Sequence, residues 1–263
     1  MLRLRRRGFD AAFLLHRSQS RAFLVYCAGI PLRIGYHKSK FLLTHPVDAA
    51  GVESMHRSDY YLRVLEHYGI DCGERVCRLS LGDADVQRLS LILKEHGVGP
   101  QEQVIVLNTG GNWRLKRWPI ALWSELAQRL SGVPNTRIVF SGAAGDSNEA
   151  QKIISTGGFK AVDLTGKTSL GESLALFHRA NAVVSGDSGP LHLANSIGAN
   201  AIGIFGPTSP SITGPRGAGA SVILFKHVGC NRAPCYHLAC RNNVCMQQVG
   251  VDDVVQAVQK FIG

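Results

Sequence analysis

From about residue 101 onward, short apolar runs alternate with amphipathic stretches, and this alternation constrains the fold more than any other feature of the chain. The runs are VIVLN (104–108), TRIVFSG (136–142), AVDLTG (161–166), AVVSGD (182–187), AIGIFG (201–206) and VILF (222–225). They are too continuously apolar for strands with one wet face, so they predict a parallel sheet covered on both sides. Helical stripes lie between most of them. Leu122, Leu126 and Leu130 recur every four residues, and Leu170, Leu174 and Phe177 form a similar stripe behind a Ser169/Glu172 capping box. A last helix carries Val251, Val254, Val255, Val258 and Ile262 on one face. Residues 100–263 are thus expected to form a doubly wound, Rossmann-like α/β domain, with its ligand beyond the carboxyl ends of the strands.

Two glycine-rich turns sit at such ends. GDSGPLHLANSIGANAIGIFGPTSP (186–210) closes one strand and opens a helix; its small residues let a ligand approach the backbone, and Pro190 suits a first helical turn. Unpaired amides and the helix dipole there face an anion. NTGGNWRLKRWP (108–119) is the second turn and adds Arg114, Lys116 and Arg117 just before another helix. Together they predict an electropositive pocket shaped for a diphosphate.

Asp187, Ser188, Gly189 and His192 fall within one strand-to-helix turn and can converge on a ligand; the plainer reading is a helix whose Asp and Ser merely cap it. Lys116 is expected to contact phosphate, against a plainer reading of Arg114, Lys116 and Arg117 as a solvated face. Trp113, Trp118 and Trp123 are read as packing groups. The loop GPTSPSITGPRG (206–217) either closes over the ligand or simply connects two elements. Asp83-Ala84-Asp85 matches the D-x-D pattern of metal-dependent sugar transfer, but it directly precedes a helical pattern and is read as a cap. No catalytic-zinc spacing, G-x-S-x-G elbow or Walker lysine turn occurs, and no metal or cofactor is expected.

Residues 1–99 read as a partial α/β domain with a linker. DAAFLL (10–15) suggests a strand, SQSRAFLVYCAG (18–29) a helix and LRIGY (32–36) another strand. A helix over 56–68 carries Tyr60, Tyr61, Val64, Leu65 and Tyr68, and 80–99 supplies a linker and helix. The net charge of +10 favours polyanionic company: nucleic acid, an anionic membrane surface or a phosphorylated glycolipid. No basic platform interleaved with aromatics appears, so nucleic acid is not an expected partner. The opening MLRLRRRGFD followed by AAFLLH imitates a signal peptide, yet Asp10, His16 and Arg17 leave its apolar core too short. A soluble cytoplasmic protein is expected, with peripheral contact at the inner membrane as the further reading of its charge. Cys230, Cys235, Cys240 and Cys245 form an even series that lacks the paired spacing of common zinc sites; a metal or redox role and a reduced, structural tail both stay open.

The segments NWRLKRWP, SGDSGPLHLANSIGANAIGIFGPTSP and CNRAPCYHLACRNNVCMQQV resemble glycosyltransferase family 9, the ADP-heptose:lipopolysaccharide heptosyltransferases. The likeness covers residue 104 to the end, with weaker echoes in FDAAFLLHRSQSRAFLVYCAGIPLRIGYH and the His56 helix. It implies a GT-B architecture, two Rossmann-like domains facing across a cleft, the N-terminal one incomplete here and the C-terminal one holding the nucleotide sugar. Matched to the family motifs, Asn112 and Lys116 meet the donor's diphosphate or sugar, while Asp187, Ser188, Gly189 and His192 form the other wall. Ser188 stands where many relatives have threonine. The resemblance implies inverting, metal-independent transfer from an ADP-heptose-type donor to a lipopolysaccharide core acceptor.

Family members begin with a strand and a glycine-containing loop that carries the aspartate proposed as general base, and this chain opens after that point. The catalytic base is therefore unassigned, and Asp10 is not put in its place. Two other readings stay open: a catalytically impaired nucleotide-sugar-binding remnant, and a nucleotide-sugar epimerase of similar architecture. Arg3, Arg5, Arg6, Arg7, Arg17, Arg21, Arg33 and Lys38 are expected to attract the phosphorylated acceptor or the membrane surface. The sugar, the acceptor position and the oligomeric state are left open.

Overall fold

The computed structural model describes residues 2–36, 40–230, 235, 240 and 242–262. Lys38, one of the basic residues singled out above, lies outside them. Contacts divide the chain into two units, Met1–Arg75 and Val76–Gly263.

The first unit contains α1 (Leu2–Arg7), β1 (Ala11–Leu14), α2 (Gln19–Cys27), β2 (Leu32–Tyr36), β3 (His45–Val47) and α3 (Arg57–His67). Its three strands are parallel in the order β1-β2-β3. Ser18 starts α2 by accepting the Arg21 N–H at 3.4 Å. The main core cluster gathers Ile34, Tyr36, Val47, Val52, Tyr60 and Val64. Within it the Tyr36 ring stacks on Tyr60 at 4.3 Å, and the Tyr36 hydroxyl donates to the Tyr60 carbonyl at 2.6 Å. The short strand β3 has no counterpart in the sequence reading. It is an edge strand holding Pro46, a residue that sheets admit at their edges because it lacks an N–H.

The second unit runs α4 (Asp83–Glu95), β4 (Gln103–Asn108), α5 (Ile120–Ser131), β5 (Thr136–Phe140), α6 (Ser147–Gly157), β6 (Val162–Asp163), α7 (Leu170–Arg179), β7 (Ala182–Gly186), α8 (Gly189–Ser196), β8 (Ala201–Phe205), α9 (Pro210–Thr213), β9 (Ser221–Phe225), α10 (Val244–Gln247) and α11 (Val251–Gln259). All six strands are parallel, in the order β6-β5-β4-β7-β8-β9. Counted within the unit, this is the 3-2-1-4-5-6 order of dinucleotide-binding sheets.

The alternation of side chains along β4 shows why its strand reads as one apolar run. Ile105 and Leu107 join the cluster under α5, α6 and α11, while Val104 and Val106 join the cluster under α4, α7 and α8. With both faces covered, no position on the strand needs to be polar. The Ser169/Glu172 capping box forms as the sequence predicts: the Ser169 hydroxyl accepts the Glu172 N–H at 3.2 Å, and Glu172 accepts the Ser169 N–H at 2.7 Å. Leu89 and Leu93 of α4 belong to the second unit's core, so the contact boundary falls after Arg75, ahead of this helix, rather than near residue 99.

Candidate functional site

In the six-stranded sheet, connections run to one side of β4 and then, from β7, to the other. Asn108 and Ser185, at the ends of these neighbouring strands, are paired in register. Both glycine-rich turns leave the sheet at that point, which is where open α/β sheets leave a crevice. A cavity of about 630 Å³ lies there. Gly110, Gly111, Asn112, Trp113 and Lys116 line it from the first turn, and Asp187, Ser188, Gly189 and Pro190 from the second. Ser141, Gly142, Ala143 and Asp146, beyond β5, and Thr168 and Ser173, at the start of α7, complete the wall.

The three basic residues of the first turn have different tasks. Arg117 is committed to the protein: Nε donates to the Gly111 carbonyl at 2.9 Å, Nη1 to Glu149 at 3.0 Å and Nη2 to Asp146 at 3.4 Å. This guanidinium holds the glycine loop in shape. Gly110 leaves room beside it for the Asp146 carboxylate, which an added Cβ would have to displace. Arg114 is exposed. Lys116 reaches the cavity, its Nζ 2.6 Å from Asp187 Oδ2 and 5.2 Å from the centre of the Trp113 ring. Trp113 therefore serves as cavity wall and cation–π partner, a correction to its reading as a packing group. Trp118 and Trp123 do pack, edge to face at 5.1 Å, with Trp118 Nε1 donating to the Val249 carbonyl at 2.9 Å.

Asp187 is the hub of the second turn, its side chain only 4% exposed. Oδ2 accepts from Lys116 at 2.6 Å, from the Thr208 hydroxyl at 2.6 Å and from the Thr213 hydroxyl at 3.2 Å. Oδ1 stands 3.8 Å from His192 Nε2. Burial pushes the pKa of this carboxyl upward, but His192, Lys116 and Thr208 outweigh burial and bring it down to about 2. Asp187 is thus ionised at neutral pH and fixes the ammonium of Lys116.

Neither acidic nor hydroxyl side chain of this turn caps α8. Ser188 occupies the N-cap position without a side-chain bond to the helix, and its hydroxyl lies 3.0 Å from that of Ser185. The plain capping reading of Asp187 and Ser188 therefore fails. A Cβ added to Gly189 would meet nothing within 4 Å, so packing does not demand glycine there. His192 does not line the cavity; it is half-exposed and meets the site through Asp187. Lys116 and His192 approach opposite oxygens of one carboxylate.

Charges at the site are paired rather than in cationic excess, which corrects the expectation of a simply electropositive pocket: Lys116 faces Asp187, and Arg117 faces Asp146 and Glu149. What remains for an anion is the spare donor capacity of Lys116, the backbone amides and the positive end of α8. The loop 206–217 supplies none of the residues that line the cavity; it contributes Thr208 and Thr213 to Asp187. Asp83 and Asp85 lie in the first turn of α4, where Asp85 accepts from Arg88 at 2.6 Å. Among the described residues no three His, Cys, Asp or Glu side chains gather as a metal ion would need.

Sequence reasoning missed Asp146, Thr168, Ser173, Thr208 and Thr213. Asp146 carries the one usable signal: like the two glycine turns, it follows a strand's carboxyl end and precedes a helix.

The model of glycosyltransferase family 9 (heptosyltransferase) matches residues 1–245. Lipopolysaccharide heptosyltransferase 2 of Escherichia coli is 25% identical over 232 residues, covering 84% of this chain. Lipooligosaccharide heptosyltransferase 2 of Haemophilus influenzae is 26% identical over 236 residues, covering 83% of the chain. The chain spans 66% of the length of each of these two relatives, just under two thirds. Among solved structures, the family 9 glycosyl transferase of Veillonella parvula superposes with a TM-score of 0.78 at 20% identity, over 98% of this chain and 76% of that one. The ADP-heptose lipopolysaccharide heptosyltransferase II of E. coli superposes with a TM-score of 0.74 at 20% identity, over 98% and 78%. These likenesses establish the fold, parallel α/β units of the GT-B kind.

Proposed function

Because the chain belongs to glycosyltransferase family 9, we propose that it moves a heptose-type sugar from an ADP-heptose-like donor to a lipopolysaccharide core acceptor. The observation that carries this reading is the single cavity at the switch between β4 and β7, shared by both glycine-rich turns, with Lys116 held in it by Asp187. Three of the proteins named above are heptosyltransferases, one of them an ADP-heptose enzyme by name, and this supports the donor class.

In the reaction an acceptor hydroxyl attacks the anomeric carbon, a base takes its proton, and the nucleoside diphosphate leaves. Negative charge grows on the diphosphate as the sugar bond breaks. Lys116 meets it with the donors that Asp187 does not use, and the N–H groups at the start of α8 add oriented dipoles. Asp187 touches the cavity wall but acts chiefly as a positioning residue, holding Lys116 on one side and His192 on the other. Asn112 is exposed at the rim and faces the sugar or diphosphate. Transfer inverts the anomeric centre and needs no bound metal.

No helix among the described residues is long and apolar enough to cross a membrane. Arg3, Arg5, Arg6 and Arg7 are exposed on α1. We place the protein in the cytoplasm, with these arginines drawn to the anionic membrane face that carries the acceptor; sedimentation with anionic vesicles, lost at high salt, tests this.

The central experiment incubates the chain with ADP-heptose and a heptose-deficient core acceptor in the presence of a chelator, and follows the product by mass spectrometry and its anomeric configuration by NMR. Acceptor-dependent transfer supports the proposal. Donor binding without transfer supports the impaired remnant instead, and consumption of donor without acceptor supports an epimerase.

A further inference from the structure

The proposed reaction leaves the cysteine-bearing segment after β9 without a role. Its described positions touch the Lys116 turn and the loop that opens at Gly206, and two of the contacts fall next to a residue bound to Asp187. The Cys235 N–H donates to the Pro207 carbonyl at 2.7 Å, next to Thr208. Met246, fully buried, lies against Gly206, where a Cβ would strike its sulfur. Asn243 Nδ2 donates to the Leu115 carbonyl at 3.0 Å, next to Lys116.

The Asn243 contact has the most direct consequence. The short 3₁₀ turn Arg114–Lys116 uses the carbonyls of Trp113 and Arg114 for its own bonds, to Lys116 N and Arg117 N. Asn243 takes the Leu115 carbonyl. That carbonyl belongs to the same planar peptide as the Lys116 N–H, so holding it fixes the plane from which the Lys116 side chain departs. On the other side of Lys116, its carbonyl lies so close to Gly186 that an added Cβ would stand 3.0 Å from it. The direction of the Asn243 amide is itself set: Cys245 Sγ donates to Asn243 Oδ1 at 3.4 Å, which turns Nδ2 toward Leu115. A relay thus runs from the Cys245 thiol through the Asn243 amide and the Leu115 carbonyl to the backbone that carries Lys116.

We propose that Asn243 is a positioning residue for the phosphate-binding lysine, and that the Cys245 thiol orients it. The inference rests on the reading of this cavity as the donor site.

The test compares the unaltered chain with Asn243→Ala, Cys245→Ala and Cys245→Ser, titrating each calorimetrically with adenosine diphosphate and measuring KM separately for donor and acceptor. Loss of one partially buried hydrogen bond to the Leu115 carbonyl predicts about tenfold weaker binding in Asn243→Ala. The donor KM rises with it, while the acceptor KM stays put; a merely structural defect would move both. Cys245→Ala is expected to bind about threefold more weakly, and Cys245→Ser to restore affinity because a hydroxyl also donates. The cysteine pair carries the test should Asn243→Ala fail to fold. Unchanged affinity in Asn243→Ala, or equal loss in both cysteine variants, overturns the relay while leaving the donor site intact. Failure of the unaltered chain to bind the nucleotide overturns the donor reading, and the relay with it.

Discussion

The turn leaving β4 brings one cation, Lys116, to the cavity, whereas the turn leaving β7 brings the carboxylate that holds it. In sequence both are glycine-rich strand-to-helix turns. In three dimensions the first spends Arg117 on its own loop and offers Lys116, a flexible ammonium with no preferred direction of its own. The second buries Asp187 and surrounds it with four donors from three parts of the chain. On the proposed function, the anion site is organised around a buried negative charge, and its attraction for phosphate would come from direction rather than from surplus positive charge.

Substitutions that separate the two turns test this division, and Asp187→Asn is expected to have the largest effect. It leaves the partly buried Lys116 ammonium unpaired and takes the charged acceptor from Thr208 and Thr213, a class of change that costs about 3 kcal/mol. Chemical denaturation and donor titration should both register it; a variant as stable and as tight-binding as the unaltered chain would break the comparison. Lys116→Met acts next, on binding more than on folding, and should weaken donor affinity roughly 10- to 100-fold, the range of a charge-assisted hydrogen bond. If it lowers stability as much as Asp187→Asn without touching affinity, the lysine belongs to the scaffold.

The third test is pH. The Asp187 pKa is lowered from 3.8 to about 2 in the folded protein, so its contribution to stability is full above the unfolded-state value and fades as the pH falls from about 4 toward 2. The shift corresponds to roughly 2 kcal/mol, and urea midpoints across that window should show a step that Asp187→Asn lacks. The smallest effects contrast two glycines. Gly110→Ala must displace the Asp146 carboxylate and should cost about 1 kcal/mol of stability. Gly189→Ala meets open space and should leave stability within about 0.5 kcal/mol, yet lower donor affinity by crowding the ligand.

The sheet of the second unit was legible because strands covered on both faces leave an uninterrupted apolar record. The runs containing 104–108 and 182–187 match β4 and β7 closely. β3 was not legible, since three residues including a proline hold no period. α6 buries only Ala150 and Ile153, too few positions to mark a stripe. At the site, Lys116 and Asp187 were legible through the glycines beside them. Thr208 and Thr213 were not, because a hydroxyl in a loop carries no pattern until the fold brings a carboxylate within reach. Trp113 was misread for a related reason: indole rings pack and line cavities with the same residue type, and only its place over the Lys116 ammonium separates it from Trp118 and Trp123.

The proposed function puts a diphosphate on Lys116, in the crevice between β4 and β7. A crystal structure of the chain with adenosine diphosphate tests it most directly. Phosphate oxygens are expected within hydrogen-bond distance of Lys116 Nζ and facing the N–H groups at Ser188 and Gly189. A nucleotide bound elsewhere, with this cavity empty and Lys116 still paired only to Asp187, would contradict it.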